Sequence, residues 1–111
     1  MSQNVHIFIE YKINPAKEQT YQQLMGDIAT AISNYGAEGF QWYQAVDQTN
    51  LYVEIFKVPS LSSYHTLKRE RGSKNHELFG KLDECVDGGL EKIHCWAFYE
   101  KTSELGYESR R

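Results

Sequence analysis

The sequence predicts an α+β chain: one four-stranded antiparallel sheet with its helices packed on a single side. Three observations predict it. Apolar residues alternate with a period of two in four short runs. Two regions between those runs carry apolar residues at helical spacing. The runs alternate with the helical regions in the order β-α-β-β-α-β. With 111 residues, the chain has room for one core and one domain.

The first strand covers residues 5–13, where Val5, Ile7, Ile9, Tyr11 and Ile13 alternate with His6, Phe8, Glu10 and Lys12. Asn14-Pro15 opens a helix, because Asn can cap and Pro suits the first helical position. That helix runs to Asn34, striped by Tyr21, Leu24, Met25, Ile28, Ile32 and Tyr35, with Gly36 placed as its C-terminal cap. The second strand is expected at 39–46. Asp47-Gln48-Thr49-Asn50 reads as a short turn into the third strand, 51–58, so the pair forms a hairpin. Pro59-Ser60 ends that strand and opens a short helix capped by Ser60 or Ser62. Gly72-Ser73 breaks the helical region. A further helix is expected over 74–86, striped by Leu78, Phe79, Leu82 and Val86. Asp87-Gly88-Gly89 is a turn signal, and the last strand follows at 92–99. One domain thus spans 1–101, and a polar, mobile tail occupies 102–111.

This order is the ferredoxin-like pattern, with its second helix split and the sheet order 4-1-3-2. Right-handed crossovers put both helices on one side. The aliphatic sets, Val5, Ile7 and Ile9 with Val53, Ile55, Ile93 and Cys95, are expected to face them. The other face then carries His6, Phe8, Glu10, Tyr52, Glu54, Phe56, His94, Trp96 and Phe98. A solvated antiparallel face is mostly polar, and this one is aromatic. It predicts a second covering surface, with another copy of the chain as partner in a homodimer.

Composition limits the function classes. A formal net charge of −3 argues against a nucleic-acid binder, which needs clustered Lys and Arg. The only dense basic stretch, Lys68, Arg69, Arg71 and Lys74, reads as a solvated helix end. Cys85 and Cys95 are too few and too far apart for a metal site; Cys95, between Ile93 and Ala97, reads as a buried free thiol. No basic stretch followed by an apolar run opens the chain, and no apolar run approaches the roughly 20 residues that span a bilayer. A cytoplasmic protein without membrane partners is expected. No phosphate loop, metal spacing or nucleotide fingerprint is present.

The element order, the Gly72 break before Ser73-Lys74-Asn75-His76-Glu77-Leu78-Phe79 and the strand patterning resemble the dimeric α+β barrel superfamily over residues 5–101. Within it, the chain looks like the antibiotic-biosynthesis-monooxygenase-like group. The resemblance implies a cofactor-independent monooxygenase acting on a planar apolar small molecule. The superfamily also holds haem-degrading enzymes and proteins without chemistry, so a haem-binding or haem-degrading protein and a non-catalytic dimeric module stand as alternatives. The haem-degrading pattern needs an Asn on the first strand, a Trp on the short helix and a His on the next helix. His76 stands near the His position. The first strand offers His6, Phe8 and Glu10 instead of Asn, with Asn4 at its edge, and the short helix offers Tyr64 and His65 instead of Trp. No cofactor is therefore expected, with haem on His76 the alternative.

Two constellations can carry chemistry. His6, Glu10, Glu54 and His94 are expected on one face, walled by aromatic rings, where carboxylate and imidazole can act as acid and base or merely satisfy one another. In the gap between helices and sheet, Tyr64, His65 and His76 are candidate catalytic residues, with Phe79 and Trp42 as substrate-binding residues. In the alternative reading, Phe79 and Trp42 are core and both His are surface residues.

Overall fold

The computed structural model describes residues 4–106. Its sheet is formed by β1 (Val5–Lys12), β2 (Glu38–Gln44), β3 (Leu51–Val58) and β4 (His94–Phe98). The spatial order is β2-β3-β1-β4, and all pairs are antiparallel. Helices α1 (Glu18–Ser33) and α2 (Leu61–Arg71) cover one side. The predicted α+β architecture and strand order are therefore those observed.

Local chemistry explains the boundaries. Asn14 Oδ1 accepts from the Ala16 amide at 3.0 Å, and Pro15–Lys17 form a single 3₁₀ turn before α1 begins. Tyr21, Met25, Ile28 and Ile32 form the buried stripe of α1. Gly36, with φ of +87°, ends the segment where a side chain would be strained. Ser60 caps α2, its Oγ accepting from the Ser63 amide at 3.1 Å. In β2 a register shift between Glu38 and Gln41 marks a bulge at Gly39. The bulge lets the Phe40 ring lie tilted against Phe56, 6.0 Å away, and turns Trp42 toward the helices.

The region 74–86 is not the α-helix its spacing predicts. It holds turns and then a 3₁₀ segment, Phe79–Glu84. His76 Nδ1 accepts from the Leu78 and Phe79 amides, at 3.1 and 3.0 Å, which diverts those donors from a helical ladder. A Cβ on Gly80 would lie 2.4 Å from the Lys74 carbonyl oxygen, so the chain crosses itself too closely there for any other residue. The expected apolar stripe is nonetheless buried at Phe79, Leu82 and Val86. The segment is tied to the end of β1 by an Ile13–Val86 bridge and by Asn14 N–H donating to the Cys85 carbonyl. Residues 102–105 form a further 3₁₀ turn, and the rest of the expected tail, 107–111, lies outside the described residues.

The third strand requires a correction. The pattern predicts Tyr52, Glu54 and Phe56 on the open face; the structure turns them toward the helices. In β1–β3 pairing, Ile7 lies opposite Phe56, Ile9 opposite Glu54 and Tyr11 opposite Tyr52. Residues directly opposite in an antiparallel pair share a face. Leu51, Val53 and Ile55 therefore join His6, Phe8, Glu10, His94, Trp96 and Phe98 on the open side. Alternation alone cannot decide between two bulky sets, and the aliphatic one looks more core-like until a partner for Glu54 is known. The proposed cluster of His6, Glu10, Glu54 and His94 is split by the same correction. Glu10 and His94 remain cross-strand neighbours on the open face, while Glu54 lies beneath the helices.

Candidate functional site

Glu54 and Arg71 are both essentially inaccessible, at 0% and 1% exposure. Arg71 ends α2, where Tyr64, Leu67 and Arg71 recur at helical spacing and form its buried face. The expected solvated basic stretch is thus wrong at this position: Arg71 turns inward while Lys68 and Arg69 stay outside. Its Nη2 donates to Glu54 Oε2, and Tyr11 Oη donates to the same oxygen. Tyr11 and Tyr21 hydroxyls lie 2.7 Å apart, and Trp42 Nε1 donates to Tyr21 Oη at 2.8 Å. A hydrogen-bonded chain therefore runs from the rim of β2 to the C-terminal end of α2. The Arg71 guanidinium also packs over the rings of Phe79 and Tyr11, at 5.5 and 5.7 Å.

Burial opposes a charge on Arg71, but Glu54 and Tyr11 outweigh it and hold the guanidinium above its ordinary value. Burial, reinforced by the Glu54 carboxylate, raises Tyr11 well above the usual phenol range. The network is incompletely satisfied. Glu54 Oε1 and Arg71 Nε and Nη1 are buried without a hydrogen-bond partner. Such orphaned atoms are costly, and a functional ligand or a water is what ordinarily answers them.

Arg71 also lines a cavity of about 220 Å³ with Lys68, Gly72, Leu90, Glu91, Ile93 and Cys95. Lys68 and Cys95 continue into a wider groove of about 620 Å³ along the β4 edge, walled by Tyr64, Trp96, Ala97 and Phe98. The two share Lys68 and Cys95 as lining, which sets the buried cation beside the aromatic groove. Lys68 Nζ lies over the Tyr64 ring at 5.7 Å. Burial pushes the Cys95 thiol up to about 11, against the pull of Lys68 and Arg71. It lines the path as an unreactive thiol.

Both the Tyr11 hydroxyl and the Cys95 thiol hold their protons more tightly folded than their ordinary values of 10.0 and 9.0 imply. Above those values the unfolded chain releases protons that the folded chain keeps. Their contribution is therefore complete below pH 9 and is lost as pH rises, for Cys95 through about 11. Urea unfolding across alkaline pH should show stability falling above pH 9, with a shallower fall in Cys95→Ala between 9 and 11.

The candidate residues read from the sequence do not converge. Tyr64 lines the groove, and the exposed His65 ring lies 5.2 Å from it at the outer side of α2. Phe79 is fully buried core. Trp42 lies at the opposite edge, with Gln22, Tyr43, Gln44 and Tyr52 around a separate cavity of about 270 Å³. His76 is stacked on Phe79 at 4.3 Å. Its Nδ1 is occupied by two backbone amides, and its Nε2 lies 3.4 Å from Tyr35 Oη and 3.9 Å from Glu70 Oε1. A haem iron would have to displace Tyr35, so this imidazole does not fit an axial ligand. Among the described residues, no group of three or more His, Cys, Asp and Glu is arranged to hold a metal ion. Cys85 and Cys95 are free thiols. No described helix is long and apolar enough to cross a membrane.

Sequence reasoning singled out Glu54, but with His6, Glu10 and His94 on the open face, and missed Arg71, Tyr11 and Lys68 around it. One signal was available: the spacing that put Tyr64 and Leu67 on the inner face of α2 puts Arg71 there too.

No family model matches the chain, and no curated protein does. Solved structures share its fold. A protein provisionally described as an antibiotic biosynthesis monooxygenase, from Nitrosomonas europaea, superposes with a TM-score of 0.70 at 8% identity, covering 92% of this chain and 94% of that one. A conserved protein from Methanosarcina mazei Go1 has a TM-score of 0.69 at 18% identity, covering 90% and 95%. A variant of SnoaB, a cofactor-independent oxygenase from Streptomyces nogalater, has a TM-score of 0.67 at 11% identity, covering 91% and 96%. At these identities the likeness is one of fold. The chain has the α+β fold of the antibiotic-biosynthesis-monooxygenase-like proteins.

Proposed function

We propose that the chain is a small cofactor-independent oxygenase, working as a homodimer, that holds a planar apolar molecule in the groove between α2 and β4. The groove is the observation that carries this reading. Its volume of about 620 Å³ fits a small-molecule site, and Tyr64 offers aromatic contact to a flat ligand, with Trp96 and Phe98 lining the groove at the β4 edge. The fold shared with a cofactor-independent oxygenase supports the reaction class.

A substrate suited to this chemistry carries an acidic C–H beside a carbonyl or phenol. Loss of that proton leaves an electron-rich enolate or phenolate, which gives one electron to dioxygen. The two radicals combine to form a C–O bond, and a proton completes the hydroperoxide. Elimination of water across the O–O and remaining C–H bonds leaves a carbonyl. One oxygen atom ends in the product and the other in water. The chain's part is to orient the ring, exclude solvent and hold a negatively charged oxygen. Tyr64 orients the ring, and the substrate's proton passes to solvent at the open mouth of the groove.

The open face supports the dimer. Phe8, Val53, Ile55, Trp96 and Phe98 share it, with Phe8 stacked on Trp96 at 5.9 Å. The swap of Tyr52, Glu54 and Phe56 for Leu51, Val53 and Ile55 takes a carboxylate off this face and leaves aliphatic side chains at its middle, and monomers avoid such patches.

Oxygen uptake tests the activity. Purified protein with a fused-ring ketone bearing an acidic methylene, 2-tetralone first, should consume oxygen faster than the protein-free control. Tyr64→Ala should lower kcat/KM by about tenfold, near 1.4 kcal/mol of lost positioning. Binding without oxygen uptake across a panel of such ketones and hydroxynaphthalenes would make the chain a ligand-binding module instead.

A further inference from the structure

We infer that the ligand of this groove is an anion: a planar molecule whose carboxylate or enolate oxygen sits against Arg71 and Lys68, with its ring on Tyr64 and its outer end at the β4 edge beside Trp96. The inference rests on the groove being the binding site and adds the charge of what it takes. Three observations lead to it.

The first is the unanswered guanidinium. Arg71 is 1% exposed and lines the inner cavity, yet only Nη2 has an acceptor. Nε and Nη1 have none. Glu54 Oε2 already takes both Arg71 Nη2 and the Tyr11 hydroxyl, and its Oε1 makes no hydrogen bond to either remaining donor. Arg71 lines the cavity, so an acceptor placed there would answer those donors, and a carboxylate or enolate oxygen is the strongest such group.

The second is Lys68. It lines both the inner cavity and the outer groove, and no carboxylate of the described residues lies within ion-pair distance of its Nζ. It stands over the Tyr64 ring, where a flat ligand stacked on that ring would meet its ammonium.

The third is the balance of charge. The one carboxylate lining the path is Glu91, which lies 3.7 Å from Lys74 Nζ and is largely exposed. Glu54 lies behind Arg71 and is neutralised by it. With Arg71 set against Glu54 and Lys74 against Glu91, the path keeps one unpaired positive charge, on Lys68, within a chain whose net charge is −3. A neutral apolar ligand would leave the Arg71 donors unmet.

The test uses 2-naphthoate and its neutral isostere 2-naphthamide, titrated into the full chain. The indole N–H of Trp96, assigned by comparison with Trp42→Phe, reports occupancy by NMR. Naphthoate should move the Trp96 signal and bind at least about tenfold more tightly than the amide. Lys68→Met, a change at an exposed side chain that leaves the fold intact, should weaken naphthoate about five- to tenfold and leave the amide unchanged. Added salt should weaken naphthoate alone. If both ligands move Trp96 with equal affinity and Lys68→Met affects neither, the charge inference falls and the groove stands as a neutral site. If neither ligand moves Trp96, the groove is not the binding site, and both readings fall together.

Discussion

Glu54→Leu and Arg71→Met, made singly, should each destabilise the chain by about 3–5 kcal/mol. Each leaves a buried charge without its counter-charge. For a domain of this size, a loss of that order lowers Tm by well over 10 °C. The double variant Glu54→Leu/Arg71→Met should be much less destabilised than the two single losses added together, because it removes both charges and leaves apolar side chains of similar volume. Urea unfolding of the four proteins gives the coupling directly. Additive losses would mean that the two side chains do not stabilise one another, and the account of the network around Tyr11 would be wrong. Tyr11 keeps the double variant from being fully neutral, since its hydroxyl loses Glu54 as acceptor and retains Tyr21 and the weak acceptor Met25 Sδ at 4.0 Å. The same double variant takes the guanidinium from the inner cavity and leaves Lys68, so it should fold and yet prefer naphthoate over naphthamide less than the unmodified chain does.

The second large effect concerns the open face. Val53→Glu/Ile55→Glu places two carboxylates at the centre of that surface, away from the groove. In a homodimer built on this face, like charges would meet across the interface with the apolar contacts removed. Loss of a central interface contact costs at least about 2 kcal/mol, so dimer dissociation should become at least about 30-fold more favourable. Sedimentation velocity across micromolar concentrations should show the unmodified chain as a dimer and this variant shifted to monomer. Both positions are already half-exposed in the single chain, so the monomer should keep its fold and far-UV circular dichroism. An unmodified chain that sediments as a monomer would overturn the dimer proposal.

The two results bear on different links between sequence and function. The open face is legible in the sequence because β4 alternates cleanly: His94, Trp96 and Phe98 point one way, Cys95 and Ala97 the other. The Glu54–Arg71 pair is hidden because its two members lie 17 residues apart in sequence, on different elements. A lone Glu in an apolar strand looks like a surface residue, and an Arg in a basic stretch looks like a solvated one. Each is informative only when the other is known to face it. His76 misleads in the opposite direction. A His after a glycine break suggests a ligand, and here it accepts two backbone amides and ends a turn.

By itself, the sequence determined the element order, the strand order, the placement of α1 and the aromatic character of the face opposite the helices. Those features follow from periodicity, capping residues and the handedness of crossovers, all of which act locally or through general topology. Only the tertiary structure decided which side of β3 is inside, that 74–86 winds as turns and 3₁₀ segments, and that Arg71 stands at the end of the groove. Register between β1 and β3 is a relation between distant residues, and one residue of register reverses a whole strand. The balance at β3 was tipped by a guanidinium from α2 that reaches under the sheet to Glu54. Such a contact exists only once the chain has folded.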